Sequence, residues 1–245
     1  MNILVVSAHP DDETIGMGGT LKKLANDNDI KILFLADGIT ARKKSGHVNT
    51  AVYKANELEI KKMKKEIDFR KKDAIKALKI LGINKTKFLD LADNELDTVP
   101  FLKIVKEVEK EIKATKYRVI FTHHHNDLNI DHRIAYEATL TAARPLVDST
   151  VDSIISFEAV SSSDWHSPYK FKPNMFVNIS SELKSKLEAL NAYKNEIRQF
   201  PHPRSKETIE AVARRWGSLY GYNAAEAFEI IMTRMDNFHN LPLSS

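Results

Sequence analysis

Asn2-Ile-Leu-Val-Val-Ser-Ala8 is a short, continuous apolar run rich in β-branched residues, and His9-Pro-Asp-Asp-Glu13 follows it directly. Such a run is typical of a strand that is buried on both faces, as in a parallel sheet. We therefore predict a strand over residues 2–8 and a helix over residues 14–28. Strand, polar turn and helix in this order indicate the first unit of an α/β fold.

The same alternation of strand and helix continues along the chain. Further strands are predicted at residues 30–36, 87–91, 118–122, 153–160 and 175–179. Further helices are predicted at residues 52–81, 99–113, 131–143, 180–198, 205–219 and 224–235. This order favours a Rossmann-like, three-layer α/β/α fold with a mainly parallel sheet. Because no linker rich in Pro, Gly or Ser interrupts the chain, we expect a single domain over residues 1–245.

Composition limits the classes of function. The chain has 245 residues, 42% of them hydrophobic, which is enough to bury a large core. It has no cysteine, which excludes disulfides, thiolate zinc ligands and cysteine nucleophiles. No run of about 18 apolar residues occurs and no basic region precedes the first strand, so we expect no membrane span, no signal peptide and a cytoplasmic location. Lysines between residues 54 and 87 alternate with carboxylates, which indicates a solvated helix face rather than a nucleic-acid surface.

His9 and Asp12 are spaced to bind one cation at the end of the first strand. Acidic residues at a helix start are ordinary caps, and that is the alternative explanation for Asp12 alone. An imidazole and a carboxylate three residues apart can converge on zinc, which accepts both donors. Catalytic zinc usually has three protein ligands, so a third is expected at another strand end, where parallel sheets bind their ligands.

The strand at residues 118–122 leads into a second polar cluster, His123-His-His-Asn-Asp-Leu-Asn-Ile-Asp-His132. Four of the nine histidines of the chain fall within these ten positions. His132 lies where a helix is predicted to begin and can complete a site of two nitrogens and one carboxylate with His9 and Asp12. Asp131 is placed to orient a neighbouring ligand. A polar surface loop is the alternative for any single histidine of residues 123–125.

These two motifs resemble the LmbE-like (PIG-L) family of zinc deacetylases, which remove acetyl groups from molecules that contain N-acetylglucosamine. Weaker similarity continues at residues 158–165, 200–205 and 221–228. The resemblance implies an LmbE-like fold and a small N-acetylated sugar or sugar conjugate as substrate. It makes His9, Asp12 and His132 the zinc ligands and Asp11 the general base. Fe²⁺ and Co²⁺ suit the same ligands as zinc.

Asn129 departs from the family pattern, since many members carry a histidine there. An amide can donate a hydrogen bond to an oxyanion but cannot transfer a proton. We therefore expect one of the loop histidines, His124 first among them, to join Asp11 and Asp131 as a catalytic residue.

Candidate substrate-binding residues lie mostly in segments that follow predicted strands. They are Arg42, Asp93, Asn129, Glu158 and His202. A turn, a solvated loop or a place in the core explains several of them nearly as well.

Other classes of protein remain open. A non-catalytic sugar- or metal-binding protein would bind the same metal without releasing an amine. A nucleotide-binding oxidoreductase is suggested by Gly16-Met-Gly-Gly19 and Asp37, although these glycines come too late after the strand for the dinucleotide fingerprint. A phosphoesterase with two metals would need more bridging carboxylates. The sequence also leaves open whether the protein is a homo-oligomer.

Overall fold

The computed structural model describes residues 1–43, 57–166 and 170–234. The strands are β1 (Asn2–Ser7), β2 (Asp29–Ala36), β3 (Lys85–Leu91), β4 (Val119–His123), β5 (Ser153–Phe157), β6 (Met175–Asn178) and β7 (Ala225–Thr233). The helices are α1 (Asp12–Leu24), α2 (Glu57–Leu81), α3 (Phe101–Ala114), α4 (Ile130–Ala142), α5 (Leu183–Leu190) and α6 (Lys206–Leu219). Two short 3₁₀ turns span Thr40–Lys43 and Leu96–Thr98.

The seven strands form one sheet in the order β3-β2-β1-β4-β5-β7-β6. The five strands from β3 to β5 pair in parallel, whereas β7 runs antiparallel to both β5 and β6. From β1 the chain adds β2 and β3 on one side of the sheet. It then crosses to the other side of β1, where it adds β4 and β5. Ligands of such sheets bind in the crevice beyond the carboxyl ends of the two strands at this reversal, here β1 and β4.

Helices cover both faces of the sheet, and β1 lies in the middle of the core. Ile3 and Val5 belong to an apolar cluster shared with α1, α2 and α5, while Leu4 and Val6 belong to a cluster shared with α3 and α4. Because successive side chains of a strand point to opposite faces, a strand covered on both sides needs apolar residues throughout. The three-layer α/β/α fold with a mainly parallel sheet is therefore confirmed.

The glycines of α1 allow this helix to pack closely on its neighbours. A Cβ atom on Gly16 would lie 2.5 Å from the carbonyl oxygen of Glu158, and one on Gly19 would lie 2.8 Å from the side chain of Ile179. Both glycines lie inside α1 rather than in the turn that follows β1. Their positions explain helix packing and do not match a phosphate-binding turn.

α2 is the longest helix, with 25 residues, and its buried side is narrow. Arg70, Ala74, Ala77, Leu78 and Leu81 are its buried residues, and most of its other side chains, including many of the lysines, are exposed or half-buried. Among the helices of the described segments, none combines the length and the apolar character that crossing a membrane requires.

Two predictions near the C-terminus are wrong. The helix predicted at residues 224–235 is the strand β7, because pairing with both β5 and β6 outweighs the helix propensity of its Ala, Glu and Met residues. The helix predicted at residues 180–198 ends much earlier, since α5 stops at Leu190. The turns that follow carry Tyr193 and Glu196 towards the end of β1.

Candidate metal centre

Asp11 stands between β1 and α1 in an unusual backbone conformation, with φ 125° and ψ −30°. Positive φ is uncommon for a residue with a side chain, and such strain, about 1–3 kcal/mol, persists where the surroundings enforce it. Glu13 contributes to this, because its Oε2 atom accepts the Asp11 backbone N–H at 3.1 Å. Its Oε1 atom accepts the Tyr193 hydroxyl at 2.7 Å. Burial raises the pKa of Glu13 to about 7, against these hydrogen bonds and that of Thr14.

Asp12 lies between the other two predicted ligands. Its Oδ2 atom is 3.1 Å from His9 Nδ1 and 3.1 Å from His132 Nε2. His9, Asp12 and His132 are each at most 5% exposed. The structure therefore brings together three residues, His9 and Asp12 from the turn between β1 and α1 and His132 from the start of α4.

The chemistry of this group fits a metal ion. The Nε2 atom of His132 is buried without a hydrogen-bond partner among the described residues, although the Oδ2 atom of Asp12 lies 3.1 Å from it. Buried donors and acceptors left in this way usually have a partner that is missing from the protein chain itself. Two imidazole nitrogens and one carboxylate oxygen are a common donor set of catalytic zinc. Burial would raise the pKa of Asp12, but the charges of His132 and His9 hold it well below its ordinary value.

Asp131 contacts His9 from the side opposite to Asp12. His9 Nε2 lies 3.0 Å from Asp131 Oδ2 and 3.0 Å from Asp93 Oδ1. Asp131 is held in place because it accepts the backbone N–H groups of Asn94 and Leu96. A carboxylate that accepts a hydrogen bond from the second ring nitrogen of a ligand histidine fixes the orientation of that ring.

Asp127 contacts His132 in the way that Asp131 contacts His9, and it was not predicted from the sequence. Its Oδ2 atom is 3.2 Å from His132 Nδ1 and accepts the hydroxyls of Ser162 and Ser163 at 3.0 and 2.9 Å. Burial would raise the pKa of Asp127, but His132 and these hydrogen bonds lower it to about 2. The available signal was its place inside the polar cluster of residues 123–132.

His123 connects β4 to β1. Its Nε2 atom accepts the backbone N–H of Ala8 at 2.8 Å, and its ring stacks on His132 with centroids 4.0 Å apart. Burial and the charge of His132 hold the pKa of His123 well below its ordinary value. A neutral His123 thus supports the His132 ring and the end of β1.

His124 lies in a separate cluster. Its ring packs edge-to-face against His125 and Phe171, and its Nδ1 atom is 3.2 Å from Glu229 Oε2. Burial and the neighbouring His125 lower the pKa of His124 to about 4. The structure does not place His124 in the group formed by the three predicted ligands, and its catalytic role stays a prediction.

Two arginines contact Asp11, the predicted general base. Arg70 Nη2 and Arg204 Nη1 each lie 3.1 Å from Asp11 Oδ2, and both side chains also contact Glu196. Burial raises the pKa of Asp11, while the two arginines oppose this shift. The Oδ1 atom of Asp11 is buried without a hydrogen-bond partner among the described residues.

Arg70 and Glu196 were not predicted as site residues, and Arg204 belongs to a segment, residues 200–205, that was singled out only for its weaker similarity to the family. A signal for Arg70 was present, because it lies four residues before Ala74 on the buried stripe of α2.

A polar cavity of about 60 Å³ opens beside these residues. Its lining is His9, Asp11, Gly38, Arg70, Asp93, Asn94, Asn129 and Arg204. Asn129 caps α4, because its Oδ1 atom accepts the Asp131 backbone N–H at 2.8 Å. The side-chain amide nitrogen of Asn129 is therefore left to donate a hydrogen bond into the cavity. Two predicted substrate-binding residues, Asp93 and Asn129, thus lie together with His9 and Asp11.

The remaining predicted substrate-binding residues lie elsewhere. Glu158 accepts the Trp216 indole N–H at 3.0 Å and lines a separate, smaller cavity beside α1. His202 is exposed, and its Nδ1 atom accepts the backbone N–H of Arg204 at 3.0 Å. The side chain of Arg42 lies outside the described residues. Substrate contacts of these three residues stay predictions.

Comparison with known proteins places this site in a family. Residues 4–143 match the family model described as PIG-L, GlcNAc-PI de-N-acetylase. A diacetylchitobiose deacetylase of Thermococcus kodakarensis is 28% identical over 241 residues, which cover 94% of this chain and 82% of that protein.

Solved structures show the same fold. The N,N'-diacetylchitobiose deacetylase of Pyrococcus horikoshii, in complex with an inhibitor, has a TM-score of 0.71 at 20% identity and covers 94% of this chain and 84% of that one. GalB, the 4-carboxy-2-hydroxymuconate hydratase of Pseudomonas putida, has a TM-score of 0.72 at 18% identity and covers 96% and 98%. Because unlike reactions occur on one fold, these likenesses establish the fold alone. The family match spans more than half of the chain and includes both polar motifs, so the protein belongs to the PIG-L family.

Proposed function

We propose that this protein is a metal-dependent hydrolase that removes an acetyl group from an N-acetylated sugar, of the N-acetylglucosamine type. The observation that carries the proposal is the position of Asp11. It is buried beside a group of potential zinc ligands, and one of its oxygens has no hydrogen-bond partner among the described residues. The polar cavity lies next to it.

Hydrolysis of an amide needs an activated water, a stabilised oxyanion and a protonated amine. His9, Asp12 and His132 would hold zinc, with Fe²⁺ or Co²⁺ as substitutes, and the metal supplies Lewis acidity that lowers the pKa of water to about 7. Asp11 takes the proton of the attacking water through Oδ1 and returns it to the leaving nitrogen. The amide nitrogen of Asn129 donates to the developing oxyanion. Asp131 and Asp127 keep the two histidine rings in place.

The nature of the cavity supports a sugar as substrate. Asp93, Asn94, Arg70 and Arg204 present charged and amide groups that can hydrogen-bond to hydroxyls. Two of the three similar proteins described above are diacetylchitobiose deacetylases, which supports the same substrate class.

The deciding experiment is a screen of N-acetylated sugars, from N-acetylglucosamine to diacetylchitobiose, with protein that has been stripped and reloaded with Zn²⁺, Co²⁺ or Fe²⁺. Metal-dependent release of acetate and free amine in equal amounts is the expected result. A protein that binds metal and sugar but releases no acetate from any of them would instead be a non-catalytic binding protein.

A further inference from the structure

A second group of ligand-type side chains lies between the segment that follows β4 and the antiparallel strand β7. We propose that His124, His125 and Glu229 bind a second transition-metal ion. A nitrogen or oxygen atom of each residue lies within 4.8 Å of the corresponding atoms of the other two. The group shares no residue with His9, Asp12 and His132.

Three buried polar atoms of this group lack a hydrogen-bond partner among the described residues. His124 is 1% exposed, and neither of its ring nitrogens has a hydrogen-bond partner among the described residues. The Oε2 atom of Glu229 is in the same situation, although it is 3.2 Å from His124 Nδ1. A buried polar atom left without a partner is unfavourable, so His124 Nδ1 and Glu229 Oε2, which face each other, point to a ligand bound by both.

The distances and donor types suit a borderline metal such as zinc or cobalt. Two donors bound tetrahedrally at about 2.0–2.2 Å from one ion lie about 3.3–3.6 Å apart, close to the separation of His124 Nδ1 and Glu229 Oε2. Imidazole nitrogens select such metals over Mg²⁺ and Ca²⁺, which prefer oxygen ligands throughout. His125 is exposed, which gives the ion a path from solvent.

A direct hydrogen bond or ion pair between His124 and Glu229 is the competing explanation. Although His124 Nδ1 and Glu229 Oε2 lie 3.2 Å apart, neither atom has a hydrogen-bond partner among the described residues, so the two groups face each other without bonding directly. The edge-to-face contact with Phe171 also helps to hold the ring towards Glu229.

A metal at this position would join two parts of the chain. His124 and His125 begin the segment that continues to Asp127 and Asn129, while Glu229 belongs to β7. An ion bound by all three would anchor this segment to the sheet, and we therefore assign the site a structural purpose.

The test is a titration of the metal-free, full-length protein with Co²⁺ and Zn²⁺, with bound metal measured by equilibrium dialysis and the Co²⁺ absorption spectrum. The unchanged protein should bind one ion that depends on Asp12 and another that depends on Glu229. Glu229→Gln should lower the affinity for the second ion at least about tenfold, because even residues that only orient a ligand contribute about 10–100-fold to metal affinity. Asp12→Asn should lose the first ion and keep the second.

Glu188→Gln is the matched control, because it removes an exposed carboxylate from α5 and should leave both ions bound. His124→Gln tests the buried ligand directly. Should that variant fail to fold, Glu229→Gln and the exposed His125→Asn decide the matter. A protein that binds no ion beyond the one removed by Asp12→Asn would overturn the proposal. Tight binding that is unchanged in both Glu229→Gln and His125→Asn would overturn it as well.

Discussion

Arg70 Nη2 lies 3.1 Å from Asp11 Oδ2, and both side chains are at most 4% exposed. Burial works against a charged Asp11, while Arg70 and Arg204 work in favour of it. The carboxylate form is the one that can accept a proton from water. We infer that the two arginines keep Asp11, the proposed base, in its carboxylate form at a buried position that would otherwise favour the protonated form.

Arg70→Gln should therefore shift the pH dependence of the reaction. Removal of one of the two positive charges raises the pKa of Asp11, so a smaller fraction of the base is ionised on the acidic side. The acidic limb of the kcat/KM profile should move to higher pH, with the largest loss of activity at low pH. Arg70→Lys keeps the charge and should move the limb less. An acidic limb in the same place in both variants would show that Arg70 does not control Asp11.

Asp11→Asn should separate chemistry from metal binding. The asparagine cannot take the proton of water, and loss of a general base costs about 10²–10⁴-fold in rate. The three predicted ligands are untouched, so the purified variant should keep its metal. His132→Ala is the opposite case, because it should lose metal and, as a consequence, activity. Metal analysis and kcat of both variants check this, and full turnover by Asp11→Asn would remove Asp11 from the mechanism.

Asp127→Asn should weaken metal binding without removing a ligand. Asp127 faces His132 Nδ1 and is itself held by two serine hydroxyls, so it fixes the ring that presents Nε2 to the metal. Loss of such a carboxylate typically costs about 10–100-fold in metal affinity. Competition with a chelator of known affinity measures the change. Ser162→Ala removes only one of the supporting hydrogen bonds and should have a clearly smaller effect.

Metal binding at neutral pH should release protons. Burial would lower the pKa of His132, but the charges of Asp12 and Asp127 raise it to about 9 in the metal-free protein. Metal takes the neutral ring, so the ion must displace at least one proton, and apparent affinity should rise with pH until about 9. Calorimetry in buffers of different ionisation enthalpy measures the proton count. A heat of binding that does not depend on the buffer would contradict the charged state of His132.

The central part of the fold and the predicted ligands could be read from the sequence because their signals are local. The apolar run before His9 marks a strand buried on both faces, and parallel strands bring their carboxyl ends to one edge of the sheet. His9, Asp12 and His132 were therefore predictable as neighbours. Asp127 is also local, but nothing in its spacing distinguishes it from the other polar residues around it.

The partners of Asp11 could not be read in this way because they depend on tertiary packing. Arg70 reaches Asp11 only because α2 packs beside α1, and Glu196 reaches Arg70 because α5 ends early. β7 shows the same limit, since its Ala and Glu residues favour a helix in isolation. Strand pairing on both sides, together with burial of Ala227 and Phe228, outweighs that preference.

Asn129 combines two functions that substitution can separate. Its Oδ1 atom caps α4, and its amide nitrogen is the group we assign to the oxyanion. Asn129→Asp keeps an acceptor for the Asp131 backbone N–H but has no N–H to donate, so the helix cap should survive while kcat falls. Loss of one oxyanion donor costs about 10²–10³-fold in kcat.

Asn129→Ala is the companion variant. It removes both functions, and it should lose a similar factor in kcat and in addition about 1 kcal/mol of stability for the missing cap. Thermal unfolding and kcat, measured on metal-loaded protein whose metal content has been checked, distinguish the two variants. If Asn129→Asp retains full kcat, the oxyanion must be stabilised by another group. If instead it loses as much stability as Asn129→Ala, the cap and the donor have not been separated and the assignment of Oδ1 to the cap is wrong.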